Sequence, residues 1–347
     1  MKVIYTEKQR LHHVRFEFLN GEATPCFEKP ERADMVLNAL NNHGGFTMIE
    51  PNSYGDAPLR WVHTDDYVDF LTSCWDQWVE AFGDVHDASP YCFAPARHLR
   101  NRIPKDIEGR LGYYSFDMTA AITAGSWKAI VAATECALTG VDLIKQGEHA
   151  AFALCRPPGH HAASDLMGGY CYANNAAIAA ESFIRQGAKR VAVLDIDYHH
   201  GNGTQSIFYH RNDVLFASIH GDPDYDYPHY LGFADEEGEG EGLGFNLNLP
   251  LPLHTTDWSV YEPVLAQALA RITEYKPEAL VISLGMDTFA DDPISYFKLM
   301  RNDYQNIGWM IGLLNIPTLF VFEGGYAVDD LGHNTVAVLD GFNKALV

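Results

Sequence analysis

Asp195, Asp197 and His199 stand two residues apart at the end of the apolar run in VAVLDIDYHHGNG, residues 191–203. Two carboxylates and an imidazole at the end of a buried strand can hold a divalent cation. Read as an extended strand, the alternate positions put all three side chains on one side. Other polar clusters follow similar runs. RPPGHH after residues 150–155 sets His160 beside His161, LGMD after 279–284 places Asp287, and EGGY after 318–322 places Tyr326. Asp197, His199 and Asp287 would leave a metal one open position, as catalytic sites do and closed, cysteine-rich structural sites do not. A neutral imidazole beside such a site can take a proton from water and return it to a leaving amine. Asp195, with the strand end already supplied with ligands, is better placed to orient one histidine, and Asn202 the other. Gly324 and Gly325 let a substrate approach closely, and the Tyr326 phenol can donate to a developing oxyanion. Together these groups point to hydrolysis of an amide or related acyl bond. The sequence holds neither a GxSxG elbow nor a phosphate-cradling loop, so nucleophilic serine and nucleotide chemistry find no support.

The elements that must position these residues follow from periodicity. Residues 2–5, 150–155, 191–196, 214–219, 279–284 and 318–322 read as strands, most of them fully buried. Helical spacing marks 31–42, 64–82 behind a Thr64 N-cap, 117–146 with a break near Gly125, 173–187, 258–275, 303–314 and the C-terminal stretch. Alternation of strand and helix predicts a parallel sheet covered on both faces, in one α/β domain over 1–347. Parallel strands bring their C-terminal ends to one edge, so the polar clusters should converge there. Residues 84–115, rich in Pro, Arg, His and Tyr, have no long periodic segment and read as a functional or oligomerisation loop.

Composition narrows the partners. A formal net charge of −22 disfavours nucleic acid and anionic membranes and favours cationic small molecules. Six cysteines without a CxxC pair suggest reduced thiols. The N-terminus lacks the apolar core of a signal peptide, and the stretch 307–322, broken by Asn315 and Pro317, is too short to span a bilayer. The expectation is a cytoplasmic protein.

RPPGHHA at 156–162, GGYCYANNAA at 168–177, DIDYHHGNGTQ at 195–205, LGMDTFADDP at 284–293 and EGGY at 323–326 resemble, in order, the motifs of the histone deacetylase family of metal-dependent amidohydrolases. RIPKDIEGRLGYYS at 102–115, HGDPDYDYPHYLGF at 220–233 and DPISYFKL at 292–299 make the chain most similar to the family's acetylpolyamine amidohydrolase branch. The resemblance implies an arginase/deacetylase-like fold with a central eight-stranded parallel sheet flanked by helices. It implies zinc or ferrous iron on Asp197, His199 and Asp287. His161 matches the general base and acid, His160 its electrostatic partner and Tyr326 the carbonyl-polarising phenol. A structural potassium ion would sit near Asp195, Asp197, His199, Ser218 and Ile219, and a second monovalent site near Phe208, Arg211 and Val214. Tyr170 and Tyr227 match the aromatic walls of a substrate tunnel, with Gly169 beside them and Glu108 at the mouth.

In the polyamine branch an insertion corresponding to 84–115 builds a homodimer and narrows the tunnel. An acid at the mouth would orient a linear cationic amine before its acetyl group reaches the metal. Two departures matter. Asn202 stands where relatives often carry Asp, which lowers the second histidine's basicity, and Thr119 replaces a second mouth carboxylate, with Asp117 nearby. The latter tilts the expected substrate toward short acetylated diamines such as N-acetylputrescine and N-acetylcadaverine. A protein lysine deacetylase shares the chemistry and differs in access. A dimanganese ureohydrolase would need a carboxylate where Phe289 stands. A non-catalytic acetyl-amine sensor would be expected to have lost a member of the catalytic set, which is intact here.

Overall fold

The computed structural model describes residues 1–19, 21–94 and 102–346. Its elements in chain order are β1 (Lys2–Ile4), the hairpin β2 (Phe16–Leu19) and β3 (Glu22–Pro25), α1 (Glu31–His43), β4 (Thr47–Ile49), α2 (Asp65–Phe82), α3 (Ile107–Tyr113), α4 (Ser126–Lys145), β5 (Ala150–Ala153), α5 (Asn175–Arg185), β6 (Val191–Asp195), α6 (Asn202–Phe208), β7 (Val214–Gly221), β8 (Asn246–Leu251), α7 (Trp258–Tyr275), β9 (Ala279–Leu284), α8 (Arg301–Gly312), β10 (Thr318–Phe322) and α9 (Val328–Ala345). Eight strands form one sheet in the order β4-β1-β5-β10-β9-β6-β7-β8. Every pairing in it is parallel. The central four, β5, β10, β9 and β6, are those that precede the polar clusters.

Both faces of the sheet are covered, which is why its central strands read as unbroken apolar runs. Leu194, Leu280, Ile282 and Phe320 face one core with residues of α1, α7, α8 and α9, while Val193, Val281 and Leu319 face another with α4 and α5. A third core, built on Tyr67, Phe70 and Tyr114, joins α2 and α3 to the loops beside the sheet's C-terminal edge. Residues 117–124, expected to be helical, lie outside α4 and are tied to the neighbouring loop by an isolated bridge between Ala88 and Ile122. Within 84–115 the short helix α3 is capped by Asp106, whose side chain accepts from Gly109 N, and residues 95–101 of that segment lie outside the described residues. No helix among the described residues is long and apolar enough to cross a membrane.

Candidate active site

Strand β6 ends at Asp195, and the backbone beyond it bends, so strand alternation does not carry Asp197 and His199 to their places. Side-chain turns do. Asp195 Oδ1 accepts from Asp197 N at 3.1 Å, and Asp197 Oδ1 accepts from His199 N at 2.9 Å. Each carboxylate thus holds the backbone two residues on and coils the loop. Asp195 turns its Oδ2 toward His160, while Asp197 turns toward His199 and Asp287. Asp287, following β9, is fixed by Tyr198 N donating to its Oδ1 at 2.9 Å.

The ligating atoms of Asp197, His199 and Asp287 lie within 4.8 Å of one another in the buried interior. His199 Nδ1 is 3.0 Å from Asp287 Oδ2 and 3.4 Å from Asp197 Oδ1. Burial alone would push the His199 imidazole down, but the two carboxylates beside it push it well above its ordinary range. Burial and the charge of Asp197 raise Asp287. Two buried acids that draw a proton onto their histidine form a site short of positive charge, and a dication meets that need with the O, N, O donors present. Gly324 closes the back. Its N donates to Asp197 Oδ2 at 2.8 Å, and a Cβ there would lie 2.6 Å from both Asp197 Oδ2 and Asp287 Oδ2.

His160 and His161 come from the loop after β5, with ring centroids 4.0 Å apart. Gly159 N and His160 N donate to Glu323 Oε2 at 2.7 and 3.2 Å, and Asn174, the N-cap of α5, ties the same loop to Thr204 of α6. The two rings meet different partners: His160 Nδ1 lies 3.0 Å from Asp195 Oδ2, whereas His161 Nδ1 lies 2.7 Å from Asn202 Oδ1. Burial lowers the affinity of both for a proton. The charges of Asp197 and Asp195 reverse this for His160, raising it to about 10. For His161 burial is reinforced by His160 and His199, and its value falls well below the usual range. One ring is therefore held charged and its neighbour neutral. An amide oxygen only accepts, so His161 carries its proton on Nδ1 and keeps the Nε2 lone pair free.

Tyr326 follows the Gly324-Gly325 turn, its N donating to Asp292 Oδ2 at 2.7 Å. Behind it lies Arg32, which nothing in the sequence pattern singles out. This buried guanidinium sits 4.8 Å from the Tyr326 ring centroid and donates to Gly325 O at 2.8 Å and Glu323 O at 2.6 Å. Glu28 pairs with it at 3.1 Å.

His160, His161, His199 and Tyr326 open onto one cavity of about 300 Å³ whose walls include Gly169, Tyr170 and Tyr227. The Tyr227 ring lies edge-on to His161, centroids 5.1 Å apart, and its hydroxyl donates to Asp117 Oδ2 at 2.6 Å. Gly169 has φ 54°, and a Cβ there would lie 2.2 Å from His161 Cδ2, so only glycine fits. Thr119, Asp226 and Ile294 also line the cavity. Glu108 stands apart from it. In the single chain that residue borders a surface hollow between α2 and α3 and accepts from Tyr91 OH at 2.9 Å. Of the residues expected near monovalent ions, Ser218 pairs across from Asp195 in the β6–β7 register, next to Ile219. Phe208 ends α6 and Arg211 lies in the turn beyond it, its N donating to Phe208 O at 2.9 Å, with Val214 opening β7.

Residues 26–342 match the family model described as the histone deacetylase domain. The chain belongs to the histone deacetylase family. This metal-dependent hydrolase family accounts for the arrangement at the sheet's C-terminal edge, and the chain is an enzyme. It is 53% identical over 342 residues to acetylpolyamine amidohydrolase 2 of Pseudomonas aeruginosa, covering 99% of this chain and 98% of that one. It is 46% identical to the acetylpolyamine amidohydrolase of Mycoplana ramosa, over 98% and 99% of the two chains. The crystal structure of the acetylpolyamine aminohydrolase from Burkholderia pseudomallei superposes with a TM-score of 0.94 at 38% identity, with 99% of each chain covered.

Proposed function

We propose that this family member removes the acetyl group from N-acetylated polyamines and diamines, such as N-acetylputrescine and N-acetylcadaverine, releasing acetate and the free amine. The reading rests on Asp197 and Asp287 gathering with His199, which shares one cavity with His160, His161 and Tyr326. Full-length similarity to amidohydrolases named for acetylpolyamines supports it.

Asp197, His199 and Asp287 are the ligands we assign to a dication, Zn2+ or, in the cell, Fe2+, which would supply Lewis acidity toward the acetyl carbonyl and acidify water. His161 is the base, its Nε2 taking the proton of the attacking water and returning it to the departing amine nitrogen. His160, kept charged by Asp195 and Asp197, stabilises the negative charge that develops during attack. Tyr326 donates its phenolic hydrogen to the oxygen of the acetyl carbonyl as that oxygen gains charge. Burial pushes this phenol well above its usual range, so it keeps the hydrogen it must donate.

The same reading includes structural potassium near Asp195, Asp197, His199, Ser218 and Ile219, with a second monovalent ion near Phe208, Arg211 and Val214. It also includes a cytoplasmic homodimer joined through 84–115, in which Glu108 would reach a tunnel mouth by way of the partner. A net charge of −22 suits a cationic substrate. The test is turnover of acetylated diamines, acetylated triamines and acetyl-lysine peptides. Preference for the small amines is expected, and a large preference for the peptide would replace this reading with protein deacetylation.

A further inference from the structure

The wall of the cavity carries a carboxylate that the chemistry at its floor does not use. Asp226 lies in the turn after β7, one residue before Tyr227, and lines the cavity directly. Its Oδ1 accepts from Tyr227 N at 2.8 Å and its Oδ2 accepts from the hydroxyl of Tyr198. Both donors are neutral. Among the described residues no lysine or arginine lines the cavity, and no ion pair involves Asp226. An ionised carboxylate offers roughly four acceptor directions, so about two remain open here.

Asp117, the other acid near Tyr227, differs in both respects. It takes four donors: Gly169 N at 2.9 Å, Tyr227 OH at 2.6 Å, and the N and Oγ1 of Thr119, each at 2.9 Å. It does not line the cavity. Its role is to brace the wall. Asp226 has unused acceptor capacity and faces the space where substrate must lie.

We propose that the Asp226 carboxylate receives the distal ammonium of the substrate and is the specificity-determining acid of this cavity. The proposal rests on the deacetylase reading above and deepens it. Asp226 and the neighbouring Tyr227 line the same cavity, and the Tyr227 ring has its centroid 5.1 Å from His161 and 5.8 Å from His199. A short acetylated diamine with its acetyl group at Tyr326 would lie in this cavity, with its ammonium free to meet the open acceptors of Asp226. Leu19, Pro293 and Ile294, also in the lining, offer apolar surface for the methylene chain. A charge-assisted hydrogen bond at a partly shielded wall contributes roughly ten- to a hundredfold in binding.

The rival explanation is that Asp226 serves only to hold Tyr198, whose ring packs edge-on to His199 with centroids 4.9 Å apart. The experiment compares N-acetylputrescine with N-butylacetamide, which has the same chain length but no ammonium. The readout is the cation-to-neutral ratio of kcat/KM in the metal-loaded enzyme. Asp226→Asn should lower that ratio at least tenfold, mainly through KM for the cationic substrate. Tyr198→Phe removes the tether and leaves the charge, so the ratio should survive. Asp226→Glu also keeps the charge and carries the test if the Asn variant does not fold; a retained ratio supports the assignment and a lost one overturns it. An unchanged ratio in Asp226→Asn, or equal collapse in Tyr198→Phe, overturns the proposal while leaving the deacetylase reading intact. If the wild-type enzyme hydrolyses neither substrate, the deacetylase reading fails and this assignment with it.

Discussion

His161 Nδ1 stands 2.7 Å from the amide oxygen of Asn202, a neutral partner in a position from which a carboxylate would pull a proton onto the ring. Burial and the neighbouring His160 and His199 already hold His161 far below its ordinary range. Asn202→Asp should therefore make His161 more basic. A base must be unprotonated to act, so the acid limb of the kcat/KM profile should move up by about one pH unit or more. The profile of the variant against wild type decides this, and an unmoved acid limb would remove His161 from the base role.

Tyr326 is gripped at its backbone by Asp292 and backed by the Arg32 guanidinium, so removing its hydroxyl should leave the ring in place. Tyr326→Phe is expected to cut kcat roughly a hundredfold or more, as loss of an oxyanion donor does. Metal content per chain should stay at the wild-type level. Turnover close to wild type would show that the carbonyl is polarised without the phenol.

The central strands were legible because burial on both faces leaves little room for polar residues, and each strand ended in a cluster whose chemistry stood out. The edges were not. β4 is three residues with Thr47 exposed and Met48 and Ile49 half-buried, and β8 reads NLNLPL because Asn246 and Asn248 turn inward to Gln205, a pattern that hides a strand. The gathering of Asp197, His199 and Asp287 was legible from residue types, yet the reason for its geometry lies in side-chain turns at Asp195 and Asp197 and not in strand alternation. Arg32 left no signal because its partner Gly325 is 293 positions away, and a lone buried arginine has no local pattern. Asp226 stands inside HGDPDYDYPHYLGF at 220–233, but a carboxylate's unused acceptors become visible only once its donors are known.

Gly324 sets how closely the backbone of the last strand loop approaches the Asp197 and Asp287 carboxylates. In Gly324→Ala the new Cβ, 2.6 Å from an oxygen of each, must push one of them aside. The variant should bind less metal per chain, measured by elemental analysis after dialysis. Stripping metal from the wild-type enzyme with a chelator should abolish turnover and lower Tm, because it leaves two buried acids sharing one histidine. Zn2+ or Fe2+ should restore both. Full occupancy in the alanine variant would mean that the loop relaxes around the added carbon.

His63 gives a prediction on stability alone. It is buried at the entry to α2, with Nδ1 2.8 Å from Ala163 O while Nε2 accepts from Asn174 N at 2.9 Å, so one proton satisfies the ring and a second has no acceptor. Burial lowers its pKa from 6.5 to about 4. The unfolded chain binds that second proton below pH 6.5 and the native protein only near pH 4, so the stability tied to His63 is present above 6.5 and is lost as pH falls through this window. Complete loss amounts to about 3 kcal/mol by linkage. In His63→Gln the titration is gone. Wild type should exceed the variant in unfolding free energy at pH 7.5, and by pH 4 that advantage should shrink by about 3 kcal/mol or reverse. Urea denaturation of both proteins across this range measures the difference, and a constant gap between the two curves would show that His63 is not held neutral.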